Sequence, residues 1–227
     1  MTKLLTEIKS RGYWRINFRS LIDEKIINDL SQAEELVKKH HVELRGWDYP
    51  YYPLKRDSQS NLEFHNNFCQ GWSNWESMKE IWRFYESGQF IHYLALREDW
   101  EGYASAPAEE KYLEVASAIY QFVEIFEFAS RLAKTDIYKN GMNINIQIFK
   151  TRGRKLVLFN GLLPGNFECS NEETISCFDE KPGVVDMISN PDAYAAKAVK
   201  KTFSIFGFTW RAEGYIEGYQ KKIRQGL

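Results

Sequence analysis

Between residues 109 and 133 the chain sets Leu113, Ala116, Ile119, Tyr120, Val123, Phe126, Ala129 and Leu132 three and four residues apart, and Val115, Phe122, Ile125 and Phe128 widen the stripe. That spacing is helical. A helix apolar on several sides has little to offer water, so it is expected at the centre of the molecule, lying across a sheet.

Strands for that sheet are legible. In "MNINIQIF", 142 to 149, Met142, Ile144, Ile146 and Ile148 alternate with Asn143, Asn145, Gln147 and Phe149. Period two means one buried face and one polar face. "YWRINFR", 13 to 19, repeats the pattern with Trp14, Ile16 and Phe18 inward and Arg15, Asn17 and Arg19 outward. "QFIHYLALR", 89 to 97, is a third strand by composition. A hairpin through Gly153 is expected to return the chain along 156 to 160 beside 142 to 149.

A second long helix is predicted over about 23 to 39, where Ile26, Ile27, Leu30, Ala33, Leu36 and Val37 share a face and "KKHH" follows at its C-terminal end. Residues 41 to 45 then read as a strand. The segment around 76 to 86 is ambiguous: Ser73 and Glu76 suit a capping box before a short helix, whereas Ile81, Trp82, Phe84 and Tyr85 favour extended structure. Small helices are predicted near 193 to 205 and 212 to 224. The sum is an α+β fold, a mixed but mainly antiparallel sheet with two long helices packed on it, in a single globular domain spanning 1 to 227.

Composition bounds the function. Thirty basic residues against thirty-one acidic ones leave a net charge of -1, so no global field draws the chain to a polyanion, and any such binding must be local. Three cysteines, an odd number without tight spacing, suit a reducing compartment, and no stretch approaches a membrane span. A soluble cytoplasmic protein is expected. An aromatic fraction of 15% suggests either a ring-rich core or an aromatic surface, and homo-oligomerisation or a protein partner is plausible if one core cannot bury so many rings.

No catalytic signature stands out. There is no GxSxG, P-loop or strand-following GxGxxG. His65 and Cys69 stand four apart but lack a second ligand pair, and His40 and His41 end a helix, so neither a metal site nor a cofactor is expected.

"VELRGWDYPYYPLKR", 42 to 56, offers Arg45, Trp47 and Asp48 between a strand end and a proline-held exit. It reads either as a stiff corner or as a grip for a planar or anionic ligand. The candidate binding residues are Arg45, Trp47, Asp48, Arg15, Arg19 and Asn145. Two function classes follow. The first is a binding or interaction module with an arginine- and aromatic-bearing surface for a nucleotide, a nucleic acid or a protein partner. The second is a hydrolase or metal-independent nuclease assembled only in the fold, for which Arg45, Asp48, His65 and His92 would have to converge.

Overall fold

A computed structural model describes residues 2 to 21, 27 to 100, 111 to 159, 161, 163, 165 to 209 and 213 to 226. In chain order its elements are α1 (Thr2–Ser10), β1 (Tyr13–Ser20), α2 (Leu30–His40), β2 (Ser60–Phe64), β3 (Phe68–Trp75), β4 (Met78–Tyr85), β5 (Phe90–Ala95), β6 (Tyr112–Glu114), α3 (Val115–Ala133), β7 (Met142–Phe149), β8 (Arg154–Val157), β9 (Glu168–Cys169), β10 (Thr174–Glu180), α4 (Val184–Ser189), α5 (Pro191–Ile205) and α6 (Glu213–Arg224). The fold is α+β. Seven antiparallel strands in the order β10-β7-β1-β5-β4-β3-β2 form the main sheet, and β6, β8 and β9 form a small second one.

The alternation in β1 and β7 is realised as written. Ile16 pairs with Ile146 and Phe18 with Ile144 on the core face, while Arg15 pairs with Gln147 and Asn17 with Asn145 on the other. Over the core face lies α3, its Phe122 edge-on to Trp14 with ring centroids 5.0 Å apart and its Phe128 against Phe90 at 5.1 Å. The helices α4, α5 and α6 also pack against α3, which explains why its apolar residues run most of the way round. Among the described residues the opposite face is covered only in part. There α1 lays Ile8 onto Tyr13, Ile81, Ala95 and Trp100, and α1 touches β4 and β5.

Four expectations are corrected. The predicted helix over 23 to 39 begins at Leu30, because Asp29 is extended and caps it by accepting from the Ser31 amide at 2.9 Å; residues 22 to 26 lie outside the described residues. The helix predicted over 109 to 133 begins at Val115, behind the strand β6, and its first two predicted positions lie outside the described residues.

Residues 41 to 45 form no strand. Gly46, with φ at 80°, turns the chain back so that only Val42 and Tyr49 bridge. The chain at 156 to 159 does not return beside β7, and residue 160 lies outside the described residues. Lys150 and Gly153, both at positive φ, swing it outward, and β8 pairs in parallel with β6 and antiparallel with β9.

The ambiguity at 76 to 86 resolves as strand β4, hydrogen-bonded on both sides by β3 and β5. Nonlocal pairing there overrides a local capping pattern. No helix among the described residues is long and apolar enough to cross a membrane.

Candidate functional site

The six sequence-derived candidates fall on opposite faces of the main sheet. Arg45, Trp47 and Asp48 lie on the helical side; Arg15, Arg19 and Asn145 lie on the open side.

On the helical side Arg45 is already engaged. Its Nε donates to Glu124 Oε1 at 2.8 Å, and its Nη2 donates to Glu124 Oε2 and, at 3.2 Å, to Gln121 Oε1. Glu124 is fully buried on α3. The Trp47 ring lies beneath two guanidinium groups, Arg97 at 4.3 Å and Arg45 at 4.9 Å. The exit of the loop is fastened as firmly: Trp82 Nε1 donates to the Tyr51 carbonyl at 2.7 Å, and the Tyr51 amide donates to Glu80 Oε2 at 3.3 Å. The loop is thus tied to α3 through Arg45 and to β4 through Tyr51.

Asp48 sits 3.7 Å from His41 Nε2, and Glu43 Oε1 lies 3.0 Å from the same nitrogen. Burial pushes the Asp48 carboxyl above its ordinary value; the His41 ring pulls it down and Glu43 pushes it up. The ligand atoms of His41, Glu43 and Asp48 all lie within 4.8 Å of one another. Glu43 is 65% exposed, so this trio has the arrangement of a surface ion-pair cluster at the end of α2.

Of the groups named for an enzyme, His92 faces the core with the Tyr49 ring 5.4 Å away, and His65 lies at the β2–β3 turn. His92 is buried among core rings with Nε2 2.7 Å from Glu80 Oε2. His65 stacks on Phe68 at the β2–β3 turn, 3.5 Å from Glu63. Cys69, four residues on, points into the core, where burial pushes its thiol up to about 12. Burial also raises Glu98 and Glu114, but both serve backbone: Glu98 accepts from the Glu114 amide at 3.0 Å and Glu114 caps α3 at Ser117.

The open face is different in kind. Across it the register sets Gln147 of β7 beside Arg15 of β1, and Arg15 beside Tyr93 of β5; one step along the strands run Asn145, Asn17, Ile91 and Arg83. Lys9, from the last turn of α1, hangs over Tyr93 at 4.6 Å. The Arg15 guanidinium lies 5.6 Å from the Phe149 ring, and Tyr13 stacks on that ring at 4.6 Å. Arg83 donates from Nε to Gln70 Oε1 at 2.8 Å and lies over Phe68 at 5.0 Å.

Two features mark this surface. First, Lys9, Arg15 and Arg83 crowd together with no ion-pair partner among the described residues, and Lys9 is held below its ordinary pKa by desolvation, then by Arg15 and Arg83. Second, Arg15 Nε, Asn145 Oδ1 and Gln147 Oε1 are shielded from water yet have no hydrogen-bond partner among the described residues. Such atoms are expensive to leave unpaired. Arg19 and Asn17 are less demanding: with its amide oxygen turned toward Arg19, Gln89 accepts from Arg19 Nε at 2.9 Å.

Period two alone placed Arg15, Arg19 and Asn145 on one face. Lys9 and Arg83 escaped the sequence because one depends on how α1 docks and the other on β4 being a strand. A comparison with family models, with curated proteins and with solved structures finds no match to this chain.

Proposed function

We propose that this chain is a cytoplasmic, non-catalytic binding module that holds a phosphate-rich ligand on the open face of its main sheet. The observation that carries this reading is the gathering of Lys9, Arg15 and Arg83 around Tyr93 without an ion-paired carboxylate among the described residues. Like charges held together cost free energy, and an anion laid between them repays it. Among the described acids on this side, Glu7 pairs with Lys79 at 3.2 Å, Glu63 accepts from Trp72 Nε1 at 3.0 Å, and Asp179, the cross-strand neighbour of Asn145, is exposed on β10. Free, buried cysteines suit a reducing compartment.

The test is binding of labelled single-stranded oligonucleotides and of labelled inorganic polyphosphate, followed by anisotropy over a range of salt. Three cations meeting three phosphates give a log–log salt slope of about -2 on a single strand. The Lys9→Gln/Arg15→Gln/Arg83→Gln variant is expected to lose that slope and most of the affinity. Absence of binding to either probe at low salt, or an unchanged slope in the variant, overturns the reading.

A further inference from the structure

We propose that His41, Glu43 and Asp48 form a binding site for a divalent transition-metal ion of the Zn²⁺ type, where α2 runs into the loop that follows it. The site is separate from the anion-binding face and does not depend on it.

Local backbone geometry brings the three side chains together. Val42 and Tyr49 exchange both backbone hydrogen bonds at 2.8 Å, as an antiparallel pair does, and both side chains are buried. Neighbouring side chains in extended chain point to opposite sides, so His41 and Glu43 turn away from the core together. Asp48 precedes Tyr49, stands across the bridge from Glu43 and turns the same way. No spacing in the chain announces the set, because Asp48 reaches the other two only where the chain doubles back at Gly46. Glu43 Oε1 lies 3.0 Å and Asp48 Oδ1 3.7 Å from His41 Nε2, and ligand atoms of all three fall within 4.8 Å of one another. Bonds of about 2.1 Å to one ion, at angles of about 90–110°, hold ligand atoms about 3.0–3.4 Å apart. The first of these separations matches, and the second needs to close by only about 0.3 Å.

His41 is oriented as a ligand. Its Nδ1 lies 2.7 Å from the Lys38 carbonyl, which has no hydrogen to give, so Nδ1 donates. Nε2 is then the nitrogen that faces the two carboxylates. With a proton on Nε2 the trio is the ion-pair cluster described above; with a lone pair there, three electron donors converge and a cation satisfies them all. A metal-bound imidazole characteristically donates its far nitrogen to a carbonyl or carboxylate in this way. Support comes from outside the trio as well: the Tyr52 amide donates to the Asp48 carboxylate, and Arg131 Nη1 donates to the His41 carbonyl. Glu43, 65% exposed, has room to adjust.

Charge and ligand type select the ion. A neutral imidazole with two carboxylates carries two negative charges, which one dication cancels. The C-terminal end of α2 adds the negative pole of its dipole. Lys38 and Lys39, in the same turn, are directed to Glu35 at 3.7 and 3.2 Å. A nitrogen among the donors disfavours Mg²⁺ and Ca²⁺, which take oxygen, and suits Zn²⁺ or Co²⁺. Three protein ligands leave a further position for water.

The test is titration of the full chain, stripped with a chelator, by calorimetry with Zn²⁺ and Mg²⁺ and by visible absorption with Co²⁺. The parent is expected to bind one Zn²⁺, to develop Co²⁺ ligand-field bands that Zn²⁺ erases, and to bind Mg²⁺ at least about tenfold more weakly. Loss of an outer partner alone costs about 10–100-fold, so His41→Gln, Asp48→Asn and Glu43→Gln should each weaken Zn²⁺ binding at least about tenfold. His40→Gln, one residue away with its ring on the Leu36 carbonyl, should bind as the parent does. Urea denaturation of each variant in chelator separates lost ligands from lost fold, and the three ligand variants test the site independently. The site is overturned by a parent that binds neither Zn²⁺ nor Co²⁺, by equal affinity for Mg²⁺, by a folded ligand variant that binds as the parent does, or by an equal loss in His40→Gln.

Discussion

Arg45 and Glu124 are joined side-on through both Nε and Nη2, with the carboxylate completely enclosed on α3. The pair ties a loop that has almost no regular backbone pairing of its own to the central helix. Removing the cation would strand a buried charge. Arg45→Ala is therefore expected to lower unfolding free energy by about 3–5 kcal/mol, read from urea denaturation. The double variant Arg45→Met/Glu124→Leu should recover much of that loss, since it removes the stranded carboxylate as well. A small loss in the single variant would mean that the corner is held by Trp82 and Tyr51 instead.

Gly71 of β3 and Trp82 of β4 stand opposite each other in the ladder, and the Trp82 ring occupies the space where a side chain at 71 would lie. A Cβ there would fall 2.6 Å from Trp82 Nε1, and closer still to the ring carbons. Trp82 is fully buried and cannot retreat without breaking its bond to the Tyr51 carbonyl. Gly71→Ala should cost about 1–3 kcal/mol by overpacking, with a lowered thermal midpoint as the measurement.

How far the sequence reaches depends on whether a contact is local. In β1 and β7 the inward and outward residues alternate without interruption, so the core face and the open amide face follow from period two alone. Residues 78 to 85 carry rings that suit either a helix or a strand, and only the flanking ladders of β3 and β5 decide between them. Arg45 illustrates the same limit at a site: its residue type suits a ligand or a carboxylate equally, and the partner, Glu124, is seventy-nine positions away. The cationic cluster needed three separate elements to meet, α1, β1 and β4, and no spacing in the chain announces that meeting.

Arg224, in the last turn of α6, reaches Glu127 of α3 at 2.7 Å, and Arg131 approaches the same carboxylate at 3.0 Å. Burial raises the Glu127 carboxyl, but hydrogen bonds and charge from Arg224 and then Arg131 outweigh it, and the net direction is down. A carboxylate with a lowered folded value adds stability that is present above its unfolded value, about 4.3, and is lost as pH falls through the folded one. Glu127→Gln should thus destabilise the protein at neutral pH. The difference from the parent chain should shrink below about pH 4 in denaturation curves. A gap that stays constant into acid would assign the effect to packing rather than to charge.

Lys9 gives a direct reading of the field on the open face. Desolvation, then Arg15, then Arg83 hold its amine below the ordinary lysine value. With isotopically labelled, reductively methylated lysines, the Lys9 signal should titrate below the ordinary lysine value. Arg15→Gln should move that midpoint upward by removing one neighbouring cation, and Arg83→Gln should move it upward by less. Addition of a bound polyanion should move it upward as well, because an opposite charge favours the protonated amine. A Lys9 midpoint at the ordinary lysine value, and indifferent to both substitutions, would mean that the three cations do not share a field and that the open face has no charge cluster to offer a ligand.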